Sequence, residues 1–132
     1  MRALIIQRNE DLGLIWQRHL ERLDVAVWRV CTAKDALDVV QSQPFDVIVL
    51  DLVLAEGSAL AVSDLLRFRQ PDANVVFVTD TTFFSDGSIF QHVANARALV
   101  KTATPPKDLA AIVHYYGISR PDRAARRNLA LG

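Results

Sequence analysis

The sequence predicts an α/β fold, a (βα)5 doubly wound parallel sheet with strand order 2-1-3-4-5. Three observations carry that prediction. Short apolar runs rich in β-branched residues recur along the chain between polar stretches, as strands buried on both faces require. Segments with apolar residues at helical spacing lie between them. The connections are short, so each strand hands over to a helix that packs back on the sheet. Right-handed crossovers then leave few topologies for 132 residues, of which 2-1-3-4-5 is the common one.

The first strand is residues 3–6 (ALII), cut off by polar QRNED. Leu12, Ile15, Trp16, Leu20 and Leu23 follow at helical spacing, with Asn9 as N-cap. Residues 25–30 (VAVWRV) form the second strand, and Thr32 caps a helix with Ala36, Leu37 and Val40, which Pro44 breaks. DVIVLD at 46–51 is the third strand. Ser58 starts a helix to about Arg69, and Pro71 closes the loop behind it. NVVFVT at 74–79 is the fourth strand. Residues 80–95 read as a loop and a short helix with Ile89, Phe90 and Val93, and residues 98–100 (ALV) as the fifth strand. Thr104, with Pro105 at the first helical position, opens a last helix through Leu109, Ile112, Val113 and Tyr116, which Gly117 ends. Residues 1–117 are expected to form one domain, followed by a basic tail, 118–132.

Hydrophobic residues make up 51% of the chain and charged residues 23%, which suits a packed core and argues against disorder. Fifteen basic and fifteen acidic residues cancel, so no global charge favours nucleic acid or an anionic membrane. The tail holds Arg120, Arg123, Arg126 and Arg127 against Asp122, and a solvated tail is its expected state. The single cysteine, Cys31, excludes an internal disulfide and points to a reducing, cytoplasmic setting. The opening MRALIIQRNED meets charge too early for a signal peptide, and no uncharged apolar stretch approaches the roughly 18 residues of a membrane span.

In doubly wound sheets the working crevice lies outside the carboxyl ends of the strands. That rule selects Gln7 and Arg8, Asp51, Thr79 and Lys101. An aspartate there can act as nucleophile and become an acyl phosphate. A hydroxyl and an ammonium can hold the phosphoryl oxygens. Each residue alone has a plain structural reading; the three together at successive strand ends form a constellation.

On these residues the sequence resembles the receiver domain of bacterial two-component response regulators, over about residues 1–116. The string DVIVLDLVLAEGSAL places Asp51 at the family's phosphoacceptor position, NVVFVTD places Thr79 and ALVKT places Lys101 at its phosphoryl-binding positions. The resemblance implies a flavodoxin-like receiver fold, a signalling module that is not an enzyme, and a histidine kinase, phosphotransfer protein or other signalling protein as partner, with a homodimer as a further option. It also exposes departures. The acidic pair that holds Mg2+ in the family reads Gln7 and Arg8. Ala55 replaces the loop proline, Ala98 the switch aromatic, and Thr102 the proline after the lysine.

Mg2+ takes about six oxygens in near-octahedral geometry. With Arg8 in place of a carboxylate, Asp51, a backbone carbonyl near Val53 and the Gln7 amide are left, beside a fixed cation that repels the metal. Weak Mg2+ binding at most is expected. Glu10 could supply a carboxylate only by leaving the first turn of its helix, where its charge suits the dipole. Arg8 is instead expected to pair bidentately with Asp51, with Lys101 as a second cation, and both are expected to depress the Asp51 pKa.

Other chemistries lack support. QRNEDLG is no phosphate-cradling loop and holds only Gly13, so flavin and dinucleotide binding are disfavoured. His19, His92 and His114 lack ligand spacing. Cys31, Trp16 and Trp28 read as packing residues. Phe83 and Phe84 follow the fourth strand; either one is exposed for a partner, or both pack over the space left by Ala98. The expected function is a stand-alone receiver with weak or absent Mg2+-dependent phosphorylation at Asp51, the alternative being a phosphorylation-independent interaction or scaffold module.

Overall fold

Five parallel strands, β1 (Arg2–Ile6), β2 (Ala26–Val30), β3 (Val47–Asp51), β4 (Asn74–Thr79) and β5 (Ala96–Lys101), form one sheet in the order β2-β1-β3-β4-β5. The structure is a computed structural model and describes residues 1–54, 57–80 and 96–118. The helices described are α1 (Glu10–Glu21), α2 (Ala33–Ser42), α3 (Ala59–Arg69) and α4 (Pro106–Ile118). None is long and apolar enough to cross a membrane. The expected helix within 80–95, Ala55, Phe83, Phe84, His92 and the tail beyond Ile118 lie outside the described residues.

Strand periodicity divides the core in two. Leu4, Ile6, Ile48, Leu50, Val75 and Phe77 point to one face and meet Ala33, Ala36 and Val40 of α2 and Val62 and Leu66 of α3. Ala3, Ile5, Val47, Val49, Val76 and Val78 point to the other and meet Trp16 and Leu20 of α1 and Leu109, Ala110 and Val113 of α4. Because β1 and β3 have both faces covered, they are apolar without alternation. That is why the sequence shows them as runs.

The expected caps are in place. Asn9 Oδ1 accepts from the Leu12 N–H, Thr32 Oγ1 from Asp35 and Ser58 Oγ from Ala61. Two expectations at α4 need correction. The helix begins at Pro106, not Pro105, whose carbonyl accepts from the Leu109 N–H at 2.9 Å. A residue before proline is disfavoured in the helical region, so Pro105 stays outside. Nor does Gly117 end α4, which runs to Ile118. Gly117 is buried there, and a Cβ on it would collide with Met1 Sδ, so the close packing on Met1 accounts for the glycine.

The turn from α1 into β2 uses the 6→1 and 5→2 bonds of a Schellman motif. The Val25 N–H donates to Leu20 C=O and the Asp24 N–H to Glu21 C=O. Asp24 sits at φ 62°, the left-handed position glycine usually fills. Behind α3, Gln70 ties three segments together. Its Oε1 accepts from the Phe45 N–H, and its Nε2 donates to the carbonyls of Val40 and Gln43, all at 2.8 Å.

Candidate functional site

The chain reverses direction across the sheet at β1, and the switch point opens between β1 and β3. Register brings the selected residues to that edge. Ile6 pairs with Leu50, so Gln7 and Arg8 leave β1 beside Asp51. Asp51 pairs with Val78, and Thr79 with Lys101. Asp51, Thr79 and Lys101 therefore end three neighbouring strands at the same edge.

Asp51 is 4% exposed. Its Oδ1 accepts from the Val53 N–H at 3.0 Å, so Val53 offers the carboxylate its N–H. Arg8 Nε stands 3.6 Å from Oδ2, an ion pair without a hydrogen bond. The strong contact of Arg8 goes elsewhere: its Nη2 donates to Asp80 Oδ2 at 2.7 Å. One guanidinium thus serves two carboxylates, and the expected bidentate pair with Asp51 gives way to a bridge. Asp80 follows Thr79 directly, and sequence reasoning gave it no role. Its only signal was a carboxylate one residue past a strand end, and its partner is 72 residues away.

Burial pushes the Asp51 carboxyl above the ordinary aspartate value of 3.8. The Val53 N–H and then the Arg8 guanidinium pull it down, and Asp80 pushes it up again. The expectation of a depressed pKa is overturned because desolvation outweighs a cation that is 41% exposed. Lys101 is exposed and makes no ion pair among the described residues, so it does not act as the second cation. Thr79 is buried, and its carbonyl accepts from the Thr102 N–H at 2.8 Å.

Gln7 is 1% exposed and turns into the protein. Its Oε1 accepts from the Asn9 N–H, while Nε2 has no partner among the described residues. The amide oxygen supports the start of α1 and is engaged there. Glu10 stays in the first turn of α1, where Cys31 Sγ donates to its Oε1 at 3.7 Å. Cys31 is half-buried, not a core residue, and burial and Glu10 both raise its pKa. Ala98 pairs with Val76 and packs on the α1–α4 core.

Residues 3–113 match the model of the response regulator receiver domain. The chain belongs to that family. No curated protein matches this receiver domain in sequence. Among solved structures it is similar to a response regulator receiver domain protein from Methanospirillum hungatei, with TM-score 0.82 at 17% identity over 92% of this chain and 97% of that one. A structure described as adenylate cyclase from Rhodopirellula baltica gives TM-score 0.82 at 19% identity, over 98% and 96%. A response regulator protein from Burkholderia pseudomallei, solved with a phosphorylated aspartic acid, calcium ion and citrate, gives 0.75 at 23%, over 96% and 74%. At these identities the likeness establishes the fold.

Mg2+, which the family implies, does not fit this donor set. Asp51 and Asp80 both face the Arg8 guanidinium, and the oxygen of Gln7 is committed to Asn9. Among the described residues no three His, Cys, Asp or Glu side chains are grouped to hold a metal. A divalent cation would have to displace a fixed monovalent one from two carboxylates.

Proposed function

We propose that this receiver domain works in two-component phosphorelay signalling as an atypical member, with little or no Mg2+-dependent phosphorylation. Asp51 holds the phosphoacceptor position, and Thr79 and Lys101 the phosphoryl-binding positions. The chain conveys its signal through contact with a histidine kinase, a phosphotransfer protein or another signalling protein. The observation that carries this reading is the Arg8 bridge, 2.7 Å from Asp80 and 3.6 Å from Asp51. It supplies in advance the positive charge that a receiver of the usual kind recruits. The same bridge favours a second reading, an interaction module that never accepts phosphate. Asp51, Thr79 and Lys101 at one sheet edge favour the first.

Acyl-phosphate formation separates the two. An Asp51 carboxylate oxygen forms a bond to phosphorus as the donor's bond breaks and its leaving group keeps the electron pair. Arg8→Asp removes the cation, frees Asp80 and adds a carboxylate beside Asp51. With acetyl phosphate and Mg2+, intact-mass spectrometry should show little adduct on the wild type and a partial gain in Arg8→Asp. Gln7→Asp with Arg8→Asp should gain more. If the wild type is phosphorylated as well as the double variant, Arg8 is no block and the reading fails. If neither variant gains while both stay folded, the module that never accepts phosphate is the better account.

A further inference from the structure

Helices α1 and α4 lie side by side on one face of the sheet, and a groove of about 390 Å3 opens between them. Its wall on α1 is His19, Arg22 and Leu23, and its wall on α4 is Lys107, Ala110 and Ala111. Two successive alanines make the space, because neither has a side chain that reaches across to α1. Leu23, 41% exposed, gives the groove an apolar side. His19 Nδ1 donates to the Ile15 carbonyl at 2.9 Å, which fixes the ring as part of the wall. The groove shares no lining residue with the Asp51 crevice, and its use is independent of the function proposed above.

The charges around the groove have one sign. Arg22 and Lys107 are exposed and make no ion pair among the described residues, and no carboxylate is among the residues lining the groove. Helix dipoles account for only one of the two cations. Arg22 stands at the C-terminal end of α1, where a cation is favoured, but Lys107 stands in the first turn of α4, where it is disfavoured. Two uncompensated cations beside an apolar slot are complementary to a molecule with an acid at one end and an apolar body behind it. We propose that the α1–α4 groove binds a small anionic amphiphile, a carboxylate carrying an aliphatic or aryl body, about ten non-hydrogen atoms in all. Arg22 and Lys107 supply the donors for the carboxylate oxygens, and Leu23, Ala110 and Ala111 cover the body. The lining favours a small molecule over a partner helix. A docking helix sets several anchors along an extended apolar groove, whereas here the apolar lining is confined to three side chains.

Octanoate is the probe, with octanamide and octylamine as neutral and cationic controls, read by the amide chemical shifts of the isotope-labelled full chain. Octanoate should shift the amides of Leu23, Lys107 and Ala111 saturably, with a Kd between about 0.2 and 5 mM. Octanamide should bind about tenfold more weakly, and octylamine should cause no saturable shift. Arg22→Gln and Lys107→Gln should each weaken octanoate binding about tenfold with little change in Tm, since both side chains are exposed. Ala111→Trp should fill the groove and abolish binding, while the amide shifts of β3 stay in place and show that the fold is kept. Octanoate that fails to saturate, shifts amides over the whole surface or binds no better than octanamide overturns the proposal. So does binding that Ala111→Trp leaves intact. An acidic peptide that shifts the groove amides where octanoate does not would assign the groove to a protein partner and overturn it as well.

Discussion

Burial at Asp51 works against the ionised carboxylate, and Arg8 recovers only part of the loss. A carboxyl whose folded pKa lies above its unfolded one binds its proton more tightly in the native state. Its contribution to stability is therefore fully present below the ordinary value of 3.8 and is lost as pH rises through the raised folded value. At neutral pH the ionised group is a net cost. Asp51→Asn should raise Tm by a few degrees at pH 7, since the amide oxygen still accepts from the Val53 N–H, and the gain should vanish toward pH 3. Thermal melts across that range check it; a gain that persists at low pH would point to packing instead of charge. The Arg8–Asp80 bond, exposed at both ends, adds roughly 0.2–1 kcal/mol by itself. Its consequence is positional: it holds the guanidinium beside Asp51. That Arg8 would face Asp51 was legible from residue types; the direction of the Asp51 shift and the bond to Asp80 were not. Spacing gave the strand ends that Asp51 and Arg8 occupy, but the sign of a pKa shift depends on burial depth. The choice of Asp80 depends on two residues meeting only once the sheet has formed.

Helix starts read well because their chemistry is local: Asn9, Thr32 and Ser58 each bond an N–H three residues on. Helix ends read less well. Pro106 was visible, and the restriction it imposes on Pro105 moves the start of α4 by one residue. Gly117 looked like a stop signal, yet a contact with Met1 at the other end of the chain explains it. Asp24 gave no signal, because a left-handed residue that is not glycine is a strained choice that sequence reasoning does not anticipate. Asp24→Gly should relieve that strain and stabilise the domain by about 0.5–1 kcal/mol, measured by urea denaturation. An unchanged midpoint would mean that the added freedom of the unfolded chain offsets the relief.

Across the whole molecule, ligand linkage offers a test of the site without reference to chemistry. A ligand that binds only the native state raises stability by RT ln(1 + [L]/Kd). Millimolar Mg2+ should leave the wild-type Tm unchanged, whereas the Gln7→Asp, Arg8→Asp double variant should gain several degrees. Scanning fluorimetry on Trp16, which is buried beside the sheet, reports both. A wild-type rise equal to that of the double variant would show that Arg8 yields to the metal. Sheet order and the position of the crevice followed from strand–helix alternation alone, since parallel sheets admit so few windings. The two separate cores follow from the same topology: every helix must cover one face, and residues alternate between them.

The cation at Asp51 is part of the polypeptide, and that has a consequence for what the molecule can report. A receiver that gains and loses its counter-charge keeps a record of recent kinase activity. Under the proposed reading, Arg8 sets the charge balance here at translation, so no such record is written. What varies from one cell to the next is then how many copies exist and how long each lasts. Synthesis and proteolysis become the inputs to the pathway, and the time constant of the signal becomes the lifetime of the protein.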